Sequence, residues 1–402
     1  MLLLRLLVSS RINAALVIAS LAMSLYGLEL TLAFTPHEFK EQGSVDARSK
    51  ADVISDFQAG GVTAFSAFPV QPIALNSGSL LLPLGGISNE HTVLCNEVGK
   101  WVTYVADEHG FRNPHGLYQP KMLDIVAIGD SFAHGVCVED EYTIMGLIRV
   151  AHPMSLSLGW VGNGPLLELA ALKEFAEPLQ PKVVLWFYYE GNDLSDLERE
   201  KRTQIVQLYL RKDFRQGLMS RTSELDEVQR AHFQSLFVEH EQWAQAVTNL
   251  ERALWYNRKN RWVKLLALTG LRSRIGLYQT SGNNGGTSDL DAFRTVLLEA
   301  RDAVQAWGGQ LYFVYLCEKS RFDHSQYASP DRAAVLSLVK ELAIPTVDSY
   351  EILRGYDTLS LYQGHYSEKA QRLIASAVLG IITPDLQQSR GRTPRLLASW
   401  PQ

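Results

Sequence analysis

Leu123-Asp124-Ile125-Val126-Ala127-Ile128-Gly129-Asp130-Ser131-Phe132 decides how this chain is read. A short apolar run of strand length stops at a glycine, and the turn presents a small hydroxyl residue. From Met122 onward such runs alternate with amphipathic segments, the pattern of βαβ units around a parallel sheet. Further strands are expected at Met154 to Leu158, Val183 to Tyr189, Gln310 to Cys317 and Pro345 to Val347. Open α/β sheets bind ligands at the carboxyl ends of their strands, where Ser131 would lie. By itself a serine after an aspartate at a turn is more often a helix N-cap than a nucleophile, so Ser131 needs partners.

Three more loops supply them. The strand ending at Tyr189 runs into Glu190-Gly191-Asn192-Asp193, presenting a carboxamide that can donate to a developing oxyanion. The second strand leads into Gly159-Trp160-Val161-Gly162-Asn163-Gly164-Pro165, whose glycines let backbone N–H groups approach a ligand. Gly364-His365-Tyr366-Ser367 precedes a helix over 368–382 and offers an imidazole. Taken singly, each has an ordinary structural reading as a turn asparagine, a glycine loop or a surface histidine. Together they make a nucleophile, a base and oxyanion donors, the set that acyl transfer needs. Ser131 and His365 are the expected catalytic pair. The oxyanion hole is expected from the Ser131 and Gly162 backbone and the Asn192 side chain.

With these blocks in chain order, the sequence resembles the SGNH/GDSL hydrolases. The matching residues are Gly129-Asp130-Ser131-Phe132, Gly162-Asn163-Gly164-Pro165, Gly191-Asn192-Asp193 and His365, over roughly residues 90 to 380. Asp107-Glu108-His109-Gly110-Phe111-Arg112-Asn113-Pro114 is similar to the segment before the first block in membrane-anchored members. The resemblance implies an α/β, three-layer flavodoxin-like fold and a serine esterase that needs neither cofactor nor metal. It further implies an ester substrate, an O-acylated envelope or extracellular carbohydrate. The family's aspartate three residues before the histidine is absent, because Tyr362 stands there. Asp357 and Asp348 are the candidates for the acid, with a Ser-His dyad as the remaining option. An O-acetyltransferase using the same Ser-His site, or a non-catalytic glycan-binding envelope component, are the alternative readings.

Composition agrees with a folded globular protein. The chain has 402 residues, 46% hydrophobic and 20% charged, and a net charge of -5 without long single-sign runs, so no nucleic-acid partner is expected. Cys95, Cys137 and Cys317 are scattered, showing neither a disulfide framework nor metal-ligand spacing. Cys137 reads as packing, and His109, His115 and His134 as solvated or capping residues. Trp160, Trp186, Tyr188 and Tyr189 read as packing, with an aromatic sugar surface as the other option.

Ahead of this core, residues 12–34 form a 23-residue apolar stretch that would span about 34 Å at ~1.5 Å per residue. Arg5 and Arg11 precede it, so a signal-anchor helix with a cytoplasmic N-terminus is expected, a cleaved signal or a soluble helix being the alternatives. The catalytic domain would then be extracytoplasmic. The expected organisation is a tip and membrane helix over 1–39, a linker and extension over 40–120, and the hydrolase domain over 121–385. A helical insertion at about 195–285 interrupts that domain, and a tail covers 386–402.

Overall fold

The structure, a computed structural model, describes residues 13, 17, 20, 23–28, 46, 48–75, 77–120, 122–233, 287–323 and 331–391. The compact unit made of residues 44–234 and 284–402 carries every element named below. Most of the expected membrane helix and residues 234–286 of the expected helical insertion lie outside the described residues. Among the described residues, no helix is long and apolar enough to cross a membrane.

The extension before the core is itself ordered. Helix α1 (Lys50–Ala59) starts with a capping box in which Ser49 and Asp52 satisfy each other's backbone N–H. Strands β1 (Ala64–Ser66), β2 (His91–Cys95) and β3 (Val102–Val105) form a small sheet, β1 parallel and β3 antiparallel to the central β2. Leu80–Leu81 forms a two-residue strand paired antiparallel with Ile73–Ala74.

Residues 107–113 fasten this extension to the core. Buried Asp107 accepts from the Asn113 side chain, the Tyr118 hydroxyl and the His109 and Phe111 backbone, each at 2.8 to 2.9 Å. Arg112 forks onto the carbonyls of Gly135 and Val138, both at 2.8 Å. Burial pushes the Asp107 carboxyl up to about 6, despite four donors that favour its charged form.

The core sheet holds five parallel strands: β4 (Ile125–Ile128), β5 (Ser155–Ser157), β6 (Val183–Tyr189), β7 (Gln310–Leu316) and β8 (Thr346–Asp348). Their spatial order is β8-β7-β6-β4-β5. Counted along the chain as 1 to 5, that is the 2-1-3-4-5 order of a flavodoxin-like sheet, as the sequence blocks imply. The strand order reverses between β4 and β6, so the loops after these two strands flank the switch point where such folds bind ligands. All four residues of β4 are buried, since an interior parallel strand is covered on both faces and must be apolar throughout. Helices α2 (Ser131–His134), α3 (Ile144–Ala151), α4 (Pro165–Ala171), α5 (Asp193–Glu200), α6 (Thr287–Ala306) and α7 (Glu368–Gly391) form the layers, with α3 against α7 and α6 against α4 and α5.

The cysteines require a correction. Cys95, which ends β2, is disulfide-bonded to Cys137, six positions past Ser131, while Cys317 is buried and free. Cys137 is therefore a cross-link and not simple packing. No spacing rule announces a lone bridge across 42 positions, because the extension's packing on the core creates it.

Candidate active site

Each site residue stands where a strand or turn delivers it. β4 ends at Ile128, and Asp130 caps the short helix α2 by accepting from Phe132 N–H at 2.9 Å, leaving Ser131 as its first residue. His365 lies in a two-stranded turn formed by Tyr362–Gln363 and His365–Tyr366, just before α7. Its Nε2 is 3.0 Å from Ser131 Oγ, although 234 positions separate the two residues. Phe132 floors the imidazole at 4.9 Å between ring centroids and stacks on Tyr189 at 3.9 Å.

The acid on the far side of the imidazole is Glu97, which no sequence block singles out. Its Oε1 is 2.8 Å from His365 Nδ1, and its Oε2 accepts the His365 backbone N–H at 2.9 Å. Glu97 comes from the β2–β3 turn of the extension. Gly364 makes room for it: at φ +91° it occupies backbone space that glycine tolerates, and a Cβ there would fall 2.1 Å from Glu97 Oε2. Burial pushes the Glu97 carboxyl up, but the hydrogen bond to the His365 ring, that ring's charge and its backbone N–H outweigh this and hold it below the usual value.

Neither expected acid reaches the imidazole. Asp348 pairs with Arg332 and caps a helix through Tyr350 N–H, while Asp357 caps the turn at Ser360. The position three before the histidine is closed to a carboxylate, because Tyr362 is buried and donates its hydroxyl to Cys317 O at 2.8 Å. Tyr366 donates to the same carbonyl at 2.8 Å. The only signal for Glu97 is its nearness to Cys95, which means nothing until the bridge is known.

Two of the expected oxyanion donors, Gly162 and Asn192, meet at the wall of one cavity. Gly162 adopts φ +74° in the loop after β5, and Asn192 stands immediately before α5 in the loop after β6. Asn192 Nδ2 donates one of its two hydrogens to Asp196 Oδ2 at 3.0 Å. Gly162 and Asn192 share the wall of a cavity of about 420 Å³ with Pro69, Gln71, Arg199 and Thr203; Ser131 and His365 do not line it. Arg199 spans the rim, donating to Gly162 O at 3.1 Å and pairing with Asp196 at 2.8 Å.

Under these loops lie several buried carboxyls. Glu200 accepts from Gly164 N–H at 2.6 Å and Leu166 N–H at 2.9 Å, supporting the start of α4. Burial nevertheless pushes it up to about 8, and Asp130 to about 6. Asp193 and Glu168 are raised for the same reason.

Other residues singled out by sequence prove structural. His134 is buried, stacked on Trp160 and bonded to Tyr104, and His109 is half-buried against Thr222, so neither is simply solvated. Trp160, Trp186 and Tyr188 are core residues.

Neither a protein-family profile nor a curated protein matches this chain. Among solved structures, an acetyl xylan esterase, AlAXEase, aligns at 10% identity and a TM-score of 0.36, over 65% of this chain and 100% of its own. A family 3 carbohydrate esterase from Clostridium thermocellum aligns at 13% identity and a TM-score of 0.30, over 66% and 98%. LAE5, an alpha/beta hydrolase from the metagenome of Lake Arreo, gives 13% and 0.33, over 66% and 97%. Scores this low add nothing to what the chain's own topology and site say. That topology is the 2-1-3-4-5 parallel sheet of a flavodoxin-like fold, with the Ser131 and Asn192 loops at its switch point, the Gly162 loop after the edge strand β5 and His365 reaching Ser131 from the turn before α7.

Proposed function

We propose that this protein is a serine esterase in which Ser131, His365 and Glu97 act as a triad. The observation that carries the reading is the relay from Ser131 Oγ through both nitrogens of His365 to Glu97, at 3.0 and 2.8 Å. Serine is a weak nucleophile at its own pKa, so His365 Nε2 takes the hydroxyl proton as Oγ attacks the ester carbonyl. Glu97 fixes the tautomer with the proton on Nδ1 and stabilises the imidazolium that forms. Negative charge on the tetrahedral oxygen is met by the Ser131 and Gly162 N–H groups and the Asn192 amide, each such donor being worth ~100 to 1000-fold in rate. His365 then protonates the leaving alcohol, and water, activated the same way, releases the acid.

The substrate class proposed is an O-acylated carbohydrate. The cavity beside Gly162 and Asn192 mixes Pro69, Pro72 and Leu82 with the polar Gln71, Asp196, Arg199 and Thr203, and about 420 Å³ accommodates a sugar ring. An extracytoplasmic location, with residues 12–34 as the anchor, draws support from the Cys95–Cys137 disulfide, since such bonds persist in oxidising compartments. The presence of Glu97 removes the main ground for a decayed, purely binding protein. The test is intact-mass labelling of the full-length chain by a fluorophosphonate, with Ser131→Ala and His365→Ala controls, followed by p-nitrophenyl acetate turnover. One label per chain, lost in Ser131→Ala, is expected; a folded chain that neither labels nor turns over contradicts the reading.

A further inference from the structure

The acid that contacts His365 does not belong to the histidine's own loop. It arrives on the β2–β3 turn of the extension, 268 positions away, and a turn held only by surface contacts would present a carboxylate imprecisely. Exposed pairs such as Lys100–Glu139, with Lys100 73% exposed, contribute little to position. Asn96 and Gly99 bond to Asp46, which tethers the turn to the extension itself and not to the nucleophile.

The covalent link is different. Cys95 stands two residues before Glu97, Cys137 six residues after Ser131, and the Glu97 backbone N–H donates to Cys137 Sγ at 3.2 Å. The Cys137 end is itself anchored, because Arg112 grips the carbonyls on either side at Gly135 and Val138. Cys137 holds φ +60°, a left-handed conformation that costs a side-chain-bearing residue ~1 kcal/mol or more and persists only where surroundings enforce it. Acid, bridge and nucleophile thus form one closed circuit: Glu97 to His365, His365 to Ser131, Ser131 through α2 to Cys137, and Cys137 through sulfur back to Cys95.

We propose that the Cys95–Cys137 disulfide is the positioning element that holds Glu97 against His365, so that the triad is fully aligned only when this bond is oxidised. The inference rests on the esterase reading for its kinetic consequence, though not for its geometric one. Reduction by a phosphine consumes one water, breaks the S–S bond, leaves two thiols and oxidises the phosphine. It would free the turn to move while α2 and the core sheet stay folded.

The test is a double-mutant cycle on the full-length chain. Turnover of p-nitrophenyl acetate is measured before and after phosphine reduction, in the wild type and in Glu97→Gln, with Cys95→Ala/Cys137→Ala as a reductant-free check. We expect reduction to lower kcat ~10 to 100-fold in the wild type with little change in KM, and to have no further effect in Glu97→Gln. Equal losses in both backgrounds, or none in the wild type, overturn the proposal, because a merely structural bridge acts independently of Glu97. A second readout needs no turnover: the downfield Nδ1–H proton of His365 in the NMR spectrum should be present in the oxidised chain and lost on reduction. Its survival after reduction overturns the positioning role. Its loss in a chain that never labels or turns over upholds that role while rejecting the esterase reading.

Discussion

At the residue scale, the site divides into what local sequence displays and what only folding assembles. Ser131, Gly162, Asn192 and His365 each sit in a short block whose turn chemistry marks it, so all four are legible in the amino-acid sequence. Glu97 is not, because its function depends on a contact made across most of the chain. Tyr362 points to a gap without saying what fills it: its phenol is committed to Cys317 O, so the acid has to come from elsewhere. Glu97→Gln should lower kcat by roughly 100 to 10,000-fold with KM within a few fold, as loss of an orienting acid does in comparable triads. Asp348→Asn and Asp357→Asn should change kcat less than about three-fold, since neither touches His365 and substitutions away from a site have small effects. Steady-state kinetics on the three variants checks both. The Glu97 carboxyl lies below its unfolded value, so its contribution is present above pH ~4.5 and lost as pH falls through the folded pKa.

At the scale of elements, the core strands are readable as short apolar runs, with β6 (Val183–Tyr189) matching its expected span and β5 (Ser155–Ser157) shorter than Met154 to Leu158. An edge strand pairs on one side only and frays sooner, which periodicity does not reveal. The extension is harder to read, because strands of three to five residues among glycines and prolines carry little periodic signal. Yet that small sheet carries the acid, and its disulfide closes a 42-position loop. Chain-entropy reasoning gives about 4 kcal/mol for a loop of that length. Reduced protein should therefore unfold at lower urea, with an m-value that rises as the unfolded chain is released, measured by circular dichroism; an unchanged midpoint would show that the bridge adds no stability.

For the molecule as a whole, the -5 net charge hides an unusual interior, in which carboxyls cluster beneath the switch-point loops. Asp107 and Asp130 at about 6 and Glu200 at about 8 all lie above their unfolded values, burial being the leading cause. A raised folded pKa contributes stability that is complete below the unfolded value and is lost as pH rises through the folded one. Tm should therefore fall as pH rises from about 5 to about 8 at constant ionic strength, and Glu200→Gln should flatten the upper part of that slope. A Tm that climbs over this range in differential scanning calorimetry would contradict the charge assignment.

The central claim is that Ser131 is activated through His365 by an acid from a different part of the chain. The most direct measurement is the second-order rate of fluorophosphonate labelling in wild type, His365→Ala and Glu97→Gln full-length protein, with the label mapped to its residue. The triad predicts a label on Ser131 alone, formed fastest in wild type, at least ~100-fold slower in Glu97→Gln and slower still in His365→Ala. A label on another residue, or equal rates in wild type and Glu97→Gln, would contradict it.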